Sequence, residues 1–199
     1  MRRGRNGVAP GGFVRLRAWL RPPGAAAIKA LHALMGQLRR HDPPPRTRNR
    51  MQDLKLIALD PEDLRVLSCH LQDAVIRVGD MAYLKPDMRF AAIANRFDWE
   101  TASQAEDGRF LRRRSGLRFE RVKSAQVLGI DLGQKDAVLE LLAITFDPAE
   151  DPSGTLLLQF AGGGAVKLEV ECIEAELRDL GAAWRTQVMP QHADDEQTP

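Results

Sequence analysis

Six arginines stand within one short run, "RFLRRRSGLRFER": Arg109, Arg112, Arg113, Arg114, Arg118 and Arg121. Guanidinium groups interleaved with aromatics such as Phe110 and Phe119 suit a phosphate backbone with unstacked bases. The same run also suits a cationic edge strand, whose charge discourages sheet-to-sheet pairing. A second cluster, "NRFDWE" (Asn95–Glu100), combines Arg96, Asp98, Trp99 and Glu100. Arg96 is a candidate anion ligand there and Trp99 a stacking platform. In the structural alternative, Phe97 and Trp99 pack while Arg96 pairs with Asp98. The candidate binding residues are therefore Arg96, Trp99, Arg112, Arg113 and Arg114.

Other patterns point away from catalysis. "AGGGA" holds Gly162–Gly164 between two apolar runs. A phosphate loop needs GxxxxGK[ST] opening a helix, and a dinucleotide loop needs GxGxxG. Here Ala165 and Val166 follow and Lys167 falls in a strand-like run, so the glycines read as a hairpin turn. His70, Asp73 and Asp80 offer titratable groups but no seryl or cysteinyl nucleophile in a recognisable arrangement. Glu169, Glu171, Glu174 and Glu176 lack the close spacing of a calcium loop and read as a solvated face. Four histidines are scattered, and Cys69 and Cys172 form no CxxC. No metal, cofactor or catalytic residue is assigned on this pattern, and the two cysteines read as small core residues.

The elements carrying these residues follow from period and punctuation. "QDLKLIAL" is a short strand or lead-in. Asp60, Pro61, Glu62 and Asp63 are an N-cap, a first-turn proline and two acids at a helix start. Leu64, Leu67, Leu71 and, less cleanly, Cys69 form its stripe, predicting a helix over 61–72. Two strands flank the bend at Pro86-Asp87, and one or two more cover the arginine run, with Leu117, Phe119 and Arg121 alternating against Arg118, Glu120 and Val122. "AVLELLAITFDP" is nearly all apolar, as in a strand covered on both faces. Leu156, Leu158 and Phe160 share one face of the next strand. Val166, Leu168, Val170 and Cys172 share a face of the last. Ile173, Leu177 and Leu180 then take a 3.6 period, predicting a C-terminal helix that ends at Gly181.

The order lacks βαβ alternation, excluding a parallel-sheet nucleotide fold. The expected fold class is α+β: a strongly bent antiparallel sheet or partly open barrel of about six to seven strands. It carries a short N-terminal helix and a C-terminal helix plugging it, a pleckstrin-homology or GRAM-like architecture.

Charge divides the chain. Residues 1–50 hold twelve Arg/Lys and one acid, whereas residues 51–199 hold seventeen Arg/Lys and twenty-six acids. Residues 1–50 read as a disordered basic arm or as translation upstream of a true start at Met51. Residues 51–190 read as one globular domain and 191–199 as a disordered tail. No apolar run reaches the ~18–20 residues of a membrane helix, and no signal-like h-region follows the N-terminus, so a cytoplasmic protein is expected.

"LKLIALDPEDLRVLSCHLQDAVIRVGDMAYL", "RFAAIANRFDWE", "RRRSGLRFERV" and "FAGGGAVKLEVECIEAELRDLG" resemble an alphaproteobacterial family known only as domain of unknown function 2948, over about residues 52–190. The resemblance implies a bacterial cytoplasmic setting and no activity. The expected function is a non-enzymatic domain that binds a protein partner or forms a homodimer. The alternatives are a nucleotide or RNA/anion-binding module built on the arginine strand, and an enzyme with an unrecognised site.

Overall fold

The computed structural model describes residues 12–15, 53–99, 110–181 and 183–186. Among them are eleven strands, all antiparallel, in one sheet, and one α-helix. The strands are β1 (Val14–Arg15), β2 (Lys55–Ala58), β3 (Ala74–Leu84), β4 (Arg89–Phe97), β5 (Phe110–Phe119), β6 (Val122–Leu128), β7 (Val138–Pro148), β8 (Gly154–Phe160), β9 (Ala165–Val170), β10 (Ala175–Asp179) and β11 (Trp184–Thr186). Their order is β1-β6-β9-β8-β7-β3-β4-β5-β10-β2, with β11 on β5 beyond the end of β10. The two ends of this path do not pair, so the sheet is not a closed barrel.

Helix α1 (Pro61–Leu71) starts as its sequence dictates. The Asp60 carboxylate accepts from the N–H groups of Glu62 and Asp63 at 2.9 and 2.8 Å, with Pro61 in the first turn. Leu64, Leu67 and Leu71 are buried, and the helix packs on β7, β2 and β4. It thus spans strands far apart in sheet order, and its leucines join the core. One helix–sheet tie is polar. A register shift between Leu141 and Ala143 interrupts the β7–β8 ladder, and the Ile144 N–H next to it donates to Ser68 Oγ at 2.8 Å.

Strand β3 is where the sheet changes partners. Its first residues pair with both β7 and β4, whereas Met81–Leu84 pair with β4. Between them Val78 and Gly79 donate to the carbonyls of Ala137 and Lys135 instead. The far half, β7-β8-β9-β6, returns to this region. The Tyr83 hydroxyl donates to Lys123 O at 2.9 Å, and Val122 N donates to Met88 O at 2.7 Å. One core runs through both halves, from Leu64, Phe90, Leu117 and Leu177 to Leu141, Leu156, Leu158 and Val166.

Several expectations hold, among them α1, the bend after β3, and the glycine hairpin. Gly162 and Gly163 have φ of 77° and 81°, and Phe160 N donates to Gly164 O across the turn. The expected C-terminal helix is overturned: Ala175–Asp179 is strand β10, paired with β5 and β2. Ile173 and Leu177, four apart, satisfy a period of 2 as well as one of 3.6, and buried Ala175 between them decides for the strand. The estimate of six to seven strands is likewise too low, and the fold is mostly β. Strand β7 is not covered on both faces, since Val138 and Leu142 are 59% and 44% exposed. Cys69 is exposed and Cys172 half-buried, so neither is a core residue. Arg121 adopts φ 59° between β5 and β6, which resets the alternation and buries Val122 rather than setting it beside Arg118.

Gly154 opens β8 where a side chain has no room. A Cβ there would stand 2.4 Å from the Phe146 ring and 2.6 Å from the Asp147 carbonyl. Gly154→Ala is expected to destabilise the fold by about 1–3 kcal/mol through overpacking, measured by urea unfolding. An unchanged midpoint would show that the β7–β8 end yields freely.

Candidate functional site

Alternation splits the arginine run between two faces of the sheet. Phe119, Leu117, Ser115 and Arg113 of β5 pair with Phe90, Ala92, Ala94 and Arg96 of β4. On the other side Phe119, Leu117 and Ser115 pair with Ala175, Leu177 and Asp179 of β10. Directly opposed side chains share a face, so these residues form the inner face, towards α1 and the core.

At the end of that face the hydrophobic rows give way to a buried ionic cluster. Arg96, 2% exposed, donates through Nε to Asp179 Oδ1 at 3.0 Å and through an NH2 nitrogen to Oδ2 at 2.8 Å. Ser115 Oγ donates to Oδ1 at 2.7 Å and the Leu54 N–H to Oδ2 at 3.0 Å. Arg113 donates through Nε to Asp98 Oδ2 at 2.7 Å and lies 4.0 Å from Asp179. Burial raises the Asp179 carboxyl, but the hydrogen bonds from Arg96, Ser115 and Leu54 and the Arg96 charge outweigh it, leaving it below its ordinary range. Burial likewise works to lower Arg113, and Asp98, with Asp179 and Asp53 behind it, raises it above its ordinary value.

The opposite face carries the remaining cations. Gly116 of β5 stands between Arg178 of β10 and Ile93 of β4, and Arg178 is opposite Lys55 of β2. Arg114 and Arg112 follow on the same face of β5, and Trp184 of β11 is opposite Arg112. Arg112 is held in place. Its guanidinium lies 5.7 Å from the Phe97 ring centroid and donates to the carbonyls of Asn95 and Asp73 at 3.2 and 3.3 Å. Lys55 and Arg114 are exposed and Arg178 is half-buried. Among the described residues these three make no ion pair, whereas Arg118, one row away, pairs with Glu176 and Glu120. Trp184 is 40% exposed.

The five candidates are thus divided. Arg96 and Arg113 lie in the buried cluster, each with a carboxylate. Arg112 and Arg114 lie on the cationic face. Trp99 is half-buried, its ring centroid 4.5 Å from that of Phe97. The expected Arg96–Asp98 pair is replaced by Arg96–Asp179 and Arg113–Asp98. Arg109 and Glu100 lie outside the described residues. Lys55, Arg178 and Trp184 were not singled out from sequence; reading Ile173–Asp179 at a period of 2 would have placed Arg178 on a face opposite Leu177. Among the described residues no group of three His, Cys, Asp or Glu could hold a metal ion, and no helix is long and apolar enough to cross a membrane.

A family profile described as protein of unknown function, DUF2948, matches residues 54–192. The chain belongs to the DUF2948 family. No curated protein and no solved structure matches it. The DUF2948 match contains β2, β5, β10 and β11, so both the ionic cluster and the cationic face are built within the family region. Strand β1 lies outside it.

Removing the central carboxylate charge tests the cluster. Asp179→Asn leaves Arg96 buried without its counter-ion and should cost about 3–5 kcal/mol in chemical unfolding. Linkage gives the pH dependence. With the folded pKa of Asp179 below the unfolded one, the unfolded chain binds more protons between them. The contribution is therefore complete above the unfolded value and is lost as pH falls through the folded one. Unfolding midpoints should decline in acid more steeply for the wild-type chain than for Asp179→Asn; parallel profiles would remove Asp179 as the cause.

Proposed function

We propose that this domain is a binding module that holds single-stranded RNA across the cationic face of β2, β10, β5 and β11. One observation carries the reading: Lys55, Arg178 and Arg114 sit on one face of three adjacent strands without an acidic partner among the described residues, beside exposed Trp184. Lys55 and Arg178 are directly opposed and Arg114 is diagonal to Arg178, about 7–8 Å away, so the three place a concentrated positive charge before a chain of phosphates. Trp184 at one end offers a ring on which a base stacks. Gly116 keeps the centre of the row low. The inner-face arginines stay out of reach, each already neutralised.

The full chain with Lys55, Arg114 and Arg178 all replaced by alanine should bind a fluorescent oligouridylate at least tenfold more weakly. Its log K against log salt slope should be shallower by about 2, since each lost single-strand contact removes about 0.7. Because the first fifty residues are basic, the difference between variants is the readout. Trp184→Ala should weaken the oligonucleotide about tenfold and leave inorganic polyphosphate binding unchanged. Equal affinity and slope for the triple variant and the wild-type chain would remove this face from the reading.

A further inference from the structure

The outer face changes character along one row. Arg114 of β5, Asn95 of β4, Val75 of β3 and Glu140 of β7 are directly opposed in turn, and opposed side chains share a face. The row therefore passes from a cation through an amide and an apolar side chain to a carboxylate. Arg114 and Glu140 are exposed, and Asn95 and Val75 between them are half-buried. Asn95 is held firmly. Its neighbours Ala94 and Arg96 are buried in the inner face, and its carbonyl accepts from Arg112 at 3.2 Å. Its side-chain amide makes no hydrogen bond among the described residues. The fold thus positions this amide but makes no use of its acceptor and donors.

We infer that Asn95 is the base-reading residue of this face, pairing through Oδ1 and Nδ2 with the Watson–Crick edge of an unstacked RNA base. The inference rests on the RNA site proposed above and adds what that site recognises besides phosphate. Charge orients the strand. Phosphates are drawn to Lys55, Arg178 and Arg114 and repelled from Glu140, so the bases turn towards β4 and β3. There Val75 offers an apolar contact and Asn95 a hydrogen-bonding one. An amide sets an acceptor beside donors, as the Watson–Crick edge of a base does, and single-stranded RNA is recognised on that edge. Trp184, opposite Arg112 in the next row of β5, stacks a neighbouring base. Because the amide can turn either way, Asn95 accepts both uracil and cytosine. A carboxylate there would accept from the cytosine amino group and face the uracil carbonyls.

The test uses the full chain with oligouridylate, oligocytidylate and an abasic ribose-phosphate chain of the same length. Asn95→Ala should weaken both oligonucleotides about tenfold, the worth of one good bidentate pair, and leave the abasic chain unchanged. Asn95→Asp adds a negative charge and weakens all three, so its readout is a ratio. Relative to wild type, it should shift preference towards oligocytidylate over oligouridylate by about tenfold. A residue that serves only the fold would change all three affinities together and leave the ratio alone. If the Lys55, Arg114 and Arg178 triple variant weakens binding but Asn95→Ala does not, the inference is overturned and the RNA site stands. An unchanged cytidylate-to-uridylate ratio in Asn95→Asp overturns it equally. If the triple variant binds like wild type, the site and the inference fall together.

Discussion

The Asp179 carboxylate accepts from three elements that sequence separates widely: Arg96 of β4, Ser115 of β5 and the backbone just before β2. The Asp179 N–H in turn donates to Leu54 O. Four strands are thereby tied at one end of the inner face. In energy alone such a cluster is no better than an apolar replacement, because desolvating two charges offsets most of their attraction. What it fixes is register. Slipping β10 by one residue would turn Asp179 outward and drive Arg178 into the core beside Arg96 and Arg113. Leaving buried charge unpaired costs about 3–5 kcal/mol, a large part of the ~5–15 kcal/mol by which a domain is stable.

That register also produces the outer surface. Arg178 and Asp179 are neighbours in sequence, as are Arg113 and Arg114. In a strand, neighbours point to opposite faces. Each pair therefore supplies one member to the buried cluster and one to the cationic row. The inner member is neutralised within the cluster, Asp179 by Arg96 and Arg113 by Asp98, and the outer one makes no ion pair among the described residues. A helix over the same residues would have scattered Arg178 and Glu176 around a cylinder, and β5 would have lost its neighbour.

Legibility followed local signals and failed where two periods overlapped. Helix α1 was readable because Asp60, Pro61, Glu62 and Asp63 act within one turn and need no distant partner. The glycine hairpin was readable because strict alternation flanks it on both sides. Strand β10 was not, since Asp179 breaks the apolar alternation and Leu180 completes a helical stripe. Only the distant Arg96 explains why an aspartate occupies an inner position. The candidate site shows the same limit. Arg112 and Arg114 were visible in the arginine run, yet their separation from Arg113 depends on strand phase, and Lys55, Arg178 and Trp184 join them through long-range pairing alone.

The acid-rich balance of residues 51–199 at first argues against an anionic ligand. The distances involved answer it. At physiological ionic strength charges separated by more than about 8 Å are largely screened when exposed. A phosphate on the cationic face therefore responds to Lys55, Arg178 and Arg114 within a strand or two, and weakly to carboxylates elsewhere. Several of the acids are already spent on neighbouring arginines: Asp98 and Asp179 inside, Glu120, Glu174 and Glu176 outside. Net charge governs long-range steering and so the association rate; the local row governs what is held on arrival. The proposed module, acidic over residues 51–199 but with a basic row that has no acidic partner among the described residues, should accordingly capture RNA slowly and lose selectivity for that row as salt rises.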